Sequence, residues 1–134
     1  MQLNISTDYA IRTVLFLAQH PGIASAPDIS EAMNIPLNTC KKNLQLLKNA
    51  GLIASHSGIN GGYFLGKSAS DIRIFDILNA VGEKFELNRC LEEDCFCNRG
   101  ATANCAVRAV YSKAQAALNE AFSTTIQQLV CCRN

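Results

Sequence analysis

Four cysteines fall within the stretch CLEEDCFCNRGATANC, at positions 90, 95, 97 and 105. Their spacing is C-x4-C-x-C-x7-C. Thiolates are soft ligands that suit iron–sulfur clusters and zinc. They can also pair as disulfides or serve as cluster-free redox sensors. Structural zinc sites favour close pairs such as C-x2-C. This stretch has no such pair, and both histidines, His20 and His56, lie far upstream. The chain's seven cysteines are an odd number, which a closed disulfide framework does not use. Cys90, Cys95, Cys97 and Cys105 are therefore candidate metal ligands, with zinc, a disulfide and a bare thiol sensor as competing readings. Cys40 falls on an apolar helical stripe and reads as core. Cys131 and Cys132 read as solvent thiols of the tail, and a ligand role for them stays open.

What surrounds these thiols decides between the readings. At 134 residues the chain is long enough to bury about two-thirds of its unfolded surface without covalent staples. Hydrophobic residues make up 49% and charged residues 17%, a globular composition. No run approaches the ~20 apolar residues of a membrane span. MQLNISTDYAIR has no basic region followed by an apolar core, so no secretory signal and a cytoplasmic location are expected. Reduced thiols in that compartment bind metal more often than they cross-link. The formal net charge of +1 is uninformative, but its distribution is not. Residues 36–73 hold Lys41, Lys42, Lys48, Lys67 and Arg73 against Asp71 alone. Residues 83–94 hold Lys84 and Arg89 against Glu83, Glu86, Glu92, Glu93 and Asp94. A basic middle followed by an acidic patch suggests two jobs on one chain.

Hydrophobic periodicity predicts a helix over 7–20, capped by Ser6 or Thr7 and stopped by Pro21-Gly22. A short second helix starts at Ser25-Ala26-Pro27 and ends near Met33-Asn34. Pro36 opens a third, with Leu37, Cys40, Leu44 and Leu47 on one stripe and Gly51 just past its end. LIAS and Tyr63-Phe64-Leu65 read as two strands of a hairpin, with Gly58, Asn60, Gly61 and Gly62 supplying positive φ at the turn. A fourth helix covers about 75–81 and ends at Gly82. Residues 106–130 read as one helix of about 24 residues, roughly 36 Å long. Its stripe of Val107, Val110, Tyr111, Ala114, Ala117, Leu118, Ala121, Ile126 and Leu129 exceeds what so small a domain needs. Part of it is expected to pack on a second chain.

Helix, short helix, helix and glycine-rich hairpin make the winged helix-turn-helix plan. DNA chemistry asks for small polar and basic side chains at the exposed start of the second helix of such a pair. Asn38, Thr39, Lys41, Lys42 and Asn43 meet that demand. A wing needs backbone that approaches phosphates, and Ser57, Gly58, Asn60, Gly61 and Gly62 fit, with His56 and Lys67 adding charge. Two lysines on a helix are otherwise an ordinary solvated face, and glycines alone an ordinary turn. The element order favours DNA. No Ser/His/Asp order, phosphate loop or histidine pair points to an enzyme.

The opening TDYAIR, the run GINGGYFLGKSASDIRIFDIL from Gly58 to Leu78, and a cysteine loop followed by a long helix resemble the Rrf-two family of bacterial winged-helix regulators. The likeness covers nearly the whole chain, and the wing is most similar to that of the nitric-oxide-sensing members. It implies a homodimer on palindromic double-stranded DNA, with third helices in major grooves, wings near minor grooves and C-terminal helices crossing at the dimer interface. In the iron–sulfur members three loop cysteines bind the cluster, and in some nitric-oxide sensors an aspartate of the partner's first helix completes it. Asp8 stands at that position. Other members carry no cluster. Cys90, Cys97 and Cys105 approximate the family spacing, while Cys95 fits the short first gap of some sensors but leaves nine residues before Cys105. The extra cysteine leaves open which three bind, or whether all four do.

The expected fold is mainly α: a winged helix-turn-helix DNA-binding domain with a two-stranded wing over 1–82, a cysteine-rich sensor loop over 83–105, and a dimerisation helix and tail over 106–134. The expected function is a cytoplasmic transcriptional regulator, a repressor, with a four-iron or two-iron cluster sensing nitric oxide, redox or iron–sulfur status. The alternative is a cluster-free regulator of the same family, controlled by thiol oxidation or a partner protein.

Overall fold

The computed structural model describes residues 1–132; Arg133 and Asn134, the end of the expected tail, lie outside the described residues. Six α-helices and one two-stranded antiparallel sheet follow in the order α1 (Ile5–Gln19), α2 (Ala26–Met33), α3 (Leu37–Asn49), β1 (Ile53–His56), β2 (Gly62–Leu65), α4 (Ile74–Ala80), α5 (Ala106–Phe122) and α6 (Ile126–Cys131). No helix of the described residues is long and apolar enough to cross a membrane.

The cap of α1 is Asn4, whose side chain accepts from the Ser6 N–H at 2.9 Å, so the helix starts earlier than Ser6 or Thr7 would allow. Ser25 and Asp28 form a capping box on α2. Asn34 ends α2 in the left-handed region at φ 53, one of the few such conformations a short polar side chain tolerates. Ile35 then drops into the core at 3% exposure, and Pro36 leads directly into α3. This three-residue corner sets α3 across α2.

The core is built from faces of α1, α2, α3, α4 and α6 and takes no residue from α5. Ala10, Val14 and Leu17 of α1 meet Ile29, Leu44, Leu47, Ile72, Ile77 and Ile126 in one cluster. Each such aliphatic side chain contributes about 1.5–3 kcal/mol on burial. Cys40 is fully buried, and burial pushes its thiol up, so it is an inert core residue as its stripe predicts.

The wing departs from the expected turn chemistry. Its strands pair Ile53 with Leu65 and His56 with Gly62. Within the turn only Gly58 has positive φ. Gly61 and Gly62 are needed for room: a Cβ on Gly61 would lie 2.2 Å from the His56 carbonyl oxygen, and one on Gly62 2.5 Å from that of Ala24. The second approach is close because Tyr63 and Ala24 exchange both backbone hydrogen bonds, rooting the wing on the segment before α2.

The single C-terminal helix expected over 106–130 is two helices. Ser123-Thr124-Thr125 interrupts it, since small hydroxyl side chains offer backbone groups local alternatives to the helix. Thr125 caps α6 in a capping box with Gln128. The Ile126 N–H donates to the Ile72 carbonyl at 2.8 Å, and the Ile74 N–H to that of Thr124 at 3.0 Å. Ile126 is fully buried, and Leu129 and Val130 pack against the same core. The α6 end of the stripe thus belongs to the chain's own core. On α5, Val107, Val110, Ala114, Ala117 and Ala121 remain exposed. They recur at alternating three- and four-residue intervals, the spacing of a helix–helix seam.

Candidate functional site

Apart from Asp8 on α1, two features hold the expected site residues: the α3–wing face and the segment between α4 and α5. On α3, Asn38, Lys41 and Lys42 are exposed and Thr39 is half-buried. Ser57, Gly58 and Asn60 are exposed at the wing, while Gly61 and Gly62 are partly covered. Asn43 is corrected by the structure. It is only 1% exposed, its amide donates to the Ser6 carbonyl at 2.9 Å, and the Ser6 hydroxyl donates to its Oδ1 at 3.2 Å. It faces α1 rather than any DNA. Helical spacing puts Asn43 on the face of Cys40, Leu44 and Leu47, but a polar side chain beside Lys41 and Lys42 reads as DNA-facing until the helix is docked.

The same corner reaches the cysteine segment. Gly82, at φ +72, turns the chain out of α4, and Glu83 follows. The Glu83 carboxylate accepts from the Thr7 hydroxyl and, at 3.4 Å, from the Asn4 N–H. Thr7 is 3% exposed. Glu83, Asn4, Thr7, Ser6 and Asn43 therefore link the start of the cysteine segment to α3 through the first turn of α1.

Residues 84–88 are anchored as well. Phe85 sits edge-on between Phe75 and Phe122, with centroids 5.0 and 6.0 Å away. Gln115 of α5 accepts from the Leu87 N–H at 2.8 Å and donates to the Phe85 carbonyl at 3.2 Å. Beyond this, short 3-10 turns at Arg89–Leu91 and Thr102–Asn104 frame the loop. Arg89 pairs with Asp94 and Glu92 and stacks its guanidinium over Phe96.

Each candidate thiol has a distinct setting. Cys105 is the N-cap of α5, its sulfur accepting from the Arg108 N–H at 3.4 Å. Cys97 lies in a turn closed by the Gly100 N–H on its carbonyl at 3.0 Å, and the backbone N–H groups of this turn, led by Ala101, pull its thiol below the usual range. Cys95 is exposed, in the left-handed region at φ 49, with its sulfur 3.7 Å from Arg108 Nη2. The Cys90 carbonyl accepts from Arg108 Nε at 3.1 Å. Among the described residues no three His, Cys, Asp or Glu side chains converge into a metal-sized group. Asp8 is paired with Arg12 at 2.6 Å on its own helix. The donor set suits an iron–sulfur cluster in ligand type, and N–H groups already face three of the sulfurs. Gathering the sulfurs around one centre requires the loop to rearrange. Cys131 and Cys132 are exposed at the end of α6.

A buried helix-turn-helix, a two-stranded wing rooted behind it and an exposed basic start to α3 define a winged-helix transcriptional regulator. Residues 3–131 match the Rrf2 (Rrf-two) family, described as "Iron-dependent Transcriptional regulator", and the chain belongs to that family rather than to any enzyme class. It is similar in fold to CymR (YrzC), the global cysteine regulator of B. subtilis, at a TM-score of 0.82 and 24% identity over 100% of this chain and 99% of that one. T. potens IscR matches at 0.78 and 21% identity, over 100% of this chain and 89% of that one. The oxidized form of Staphylococcus aureus CymR matches at 0.73 and 24%, over 96% and 95% of the two chains. At these identities the likeness is one of fold.

Proposed function

We propose that the chain is a homodimeric repressor of palindromic operators whose DNA affinity is governed by an iron–sulfur cluster on the Cys90–Cys105 loop, with nitric oxide as the first-choice signal and iron–sulfur status the second. The observation that carries this is the hydrogen-bonded link from Glu83, at the start of the cysteine segment, to Asn43 on α3. That link gives the sensor loop a direct path to the DNA-reading helix, beside the one through α5. Asn38, Thr39, Lys41 and Lys42 would meet the major groove, and Ser57, Gly58 and Asn60 the phosphates beside the minor groove. The exposed seam of α5 would cross the same seam of a second copy, setting the distance between the two α3 helices.

Cys90, Cys97 and Cys105 are the preferred ligands, with Cys95 and the partner subunit's Asp8 competing for the fourth position. Cys97 is favoured over Cys95 by the N–H groups that stabilise its thiolate. When bound, the cluster would supply a centre that nitric oxide or oxidants attack. What this chain then does is mechanical. The loop relaxes between its two anchors, Glu83 on α1 and Cys105 on α5, and shifts the population of DNA-competent dimers.

Anaerobic purification followed by an absorbance spectrum, an iron and sulfide count and a nitric oxide titration of operator binding tests the reading. Iron and sulfide in stoichiometric amounts, with operator release on nitric oxide addition, are the expected results. Protein with neither would leave the cluster-free alternative. That second reading draws on the exposed Cys95 thiol, on the downward pull that backbone N–H groups exert on the Cys97 thiol, and on the unconverged sulfurs. A reversible Cys–Cys bond that controls operator release without iron would establish it.

A further inference from the structure

Arg108 lies in the first turn of α5, yet the hydrogen bonds it donates all run to cysteine residues. Its main-chain N–H donates to Cys105 Sγ, its Nε to the Cys90 carbonyl at 3.1 Å and its Nη2 to Cys95 Sγ at 3.7 Å. Three of the four loop cysteines therefore touch one residue. No carboxylate among the described residues pairs with it, and the loop acids Asp94 and Glu92 pair with Arg89 instead. Arg108 is half-buried, and its positive charge is directed at the loop rather than at a neighbouring acid.

We propose that Arg108 is the positioning residue of the cysteine site, tying the Cys90 and Cys95 segments to the N-terminus of α5 and supplying positive charge beside the sulfurs. The tethering rests on the observed contacts alone. The electrostatic part rests on the cluster reading above. A guanidinium is a rigid fork that holds two acceptors at once, whereas an ammonium is a point charge. Hydrogen bonds to sulfur and nearby net charge both tune a cluster's reduction potential. Removing the charge of Arg108 disfavours the more negative, reduced form and lowers that potential. Arg108→Lys keeps the charge and loses the fork, so it separates the two roles.

The experiment compares wild-type protein with Arg108→Gln and Arg108→Lys in two arms. The first uses reduced, metal-free protein and reads limited proteolysis within 83–105, together with iodoacetamide labelling of Cys95 against Cys131 as internal standard. Arg108→Gln and Arg108→Lys should both speed loop cleavage, by about tenfold if the tether is worth one charge-assisted hydrogen bond. Cys95 labelling should rise relative to Cys131. The second arm uses protein reconstituted with ferrous iron and sulfide and reads the midpoint potential. Arg108→Gln should lower it, and Arg108→Lys should restore most of the wild-type value. Cleavage, labelling and potential all unchanged in Arg108→Gln would overturn the proposal. Wild-type protein that takes up no iron would sink the cluster reading instead, while the first arm would still decide the tether.

Discussion

The Asn43 side chain and Ser6 hold each other by two hydrogen bonds, the amide donating to the Ser6 carbonyl at 2.9 Å and the Ser6 hydroxyl donating to the Asn43 amide oxygen at 3.2 Å. This pair fixes α3 against the first turn of α1, and that turn in turn holds Glu83. Asn43→Ala should cost about 1–3 kcal/mol, because it strands polar groups in a buried corner. It should also weaken the response of operator binding to the loop without altering the salt slope, as Asn43 touches no phosphate in this reading. Denaturant melts beside operator titrations at several salt concentrations check both halves.

Lys41→Ala and Lys42→Ala should behave oppositely. Each should leave stability within about 0.5 kcal/mol of wild type, as expected for exposed side chains. Removing a lysine that neutralises a phosphate should weaken binding on every DNA sequence and reduce the salt slope by about one. Fluorescence anisotropy on operator and random duplexes measures this.

Gly62→Ala tests the root of the wing. The added Cβ would meet the Ala24 carbonyl at 2.5 Å, which is backbone and cannot swing aside. A loss of about 1–3 kcal/mol is expected, as for other overpacked sites, with DNA binding impaired. Gly58→Ala clashes with nothing but is strained by φ +116.

With two copies paired through α5 as proposed, Val110→Glu should convert that dimer to a monomer, since it places a charge within the exposed seam. Light scattering after gel filtration reads the mass directly. Cys97→Ala should abolish iron uptake under anaerobic reconstitution. Cys95→Ala should leave a partly loaded centre, and Cys40→Ala should leave uptake unchanged.

Arg73 and Asp76 supply a pH prediction. Burial pushes the Asp76 carboxyl up, but hydrogen bonds from the Arg73 side chain and backbone, with the charges of Arg73 and Lys67, outweigh it and hold Asp76 below its usual range. A depressed folded-state pKa stabilises the fold above the unfolded value of about 3.9 and is lost as pH falls through the folded value. Asp76→Asn should therefore cost up to about 1 kcal/mol at pH 7, the ceiling for a partly exposed pair, and much less in strong acid. Urea melts at pH 7 and pH 3 compare the two.

The order of the winged-helix elements was legible because it is written in local chemistry. Ser25 with Pro27, Pro36, Gly51 and Gly82 each mark a helix boundary through one residue's backbone preference. The grouping of four cysteines within sixteen residues was plain, but among the described residues their sulfurs do not converge on one centre. The split of the last helix was half-visible. Thr125 and Gln128 spell a capping box, but an unbroken apolar stripe outweighs it until Ile126 is seen to enter the core under α1 and beside Ile72. Gly61 and Gly62 read as flexible turn residues, and only the packing against His56 and Ala24 reveals that they supply room.

By itself, the sequence determined the class of fold, the basic face of α3 and the presence of a cysteine-rich loop, since these depend on residue types and short spacings. Only the tertiary structure decided that Asn43 is a buried clasp, that Glu83 reaches α1, and that Arg108 gathers three cysteines. Apart from the local cap between Arg108 and Cys105, those contacts join groups whose separation in the chain carries no periodic signal. Their partners are chosen by where helices dock, and docking is settled by the whole core at once.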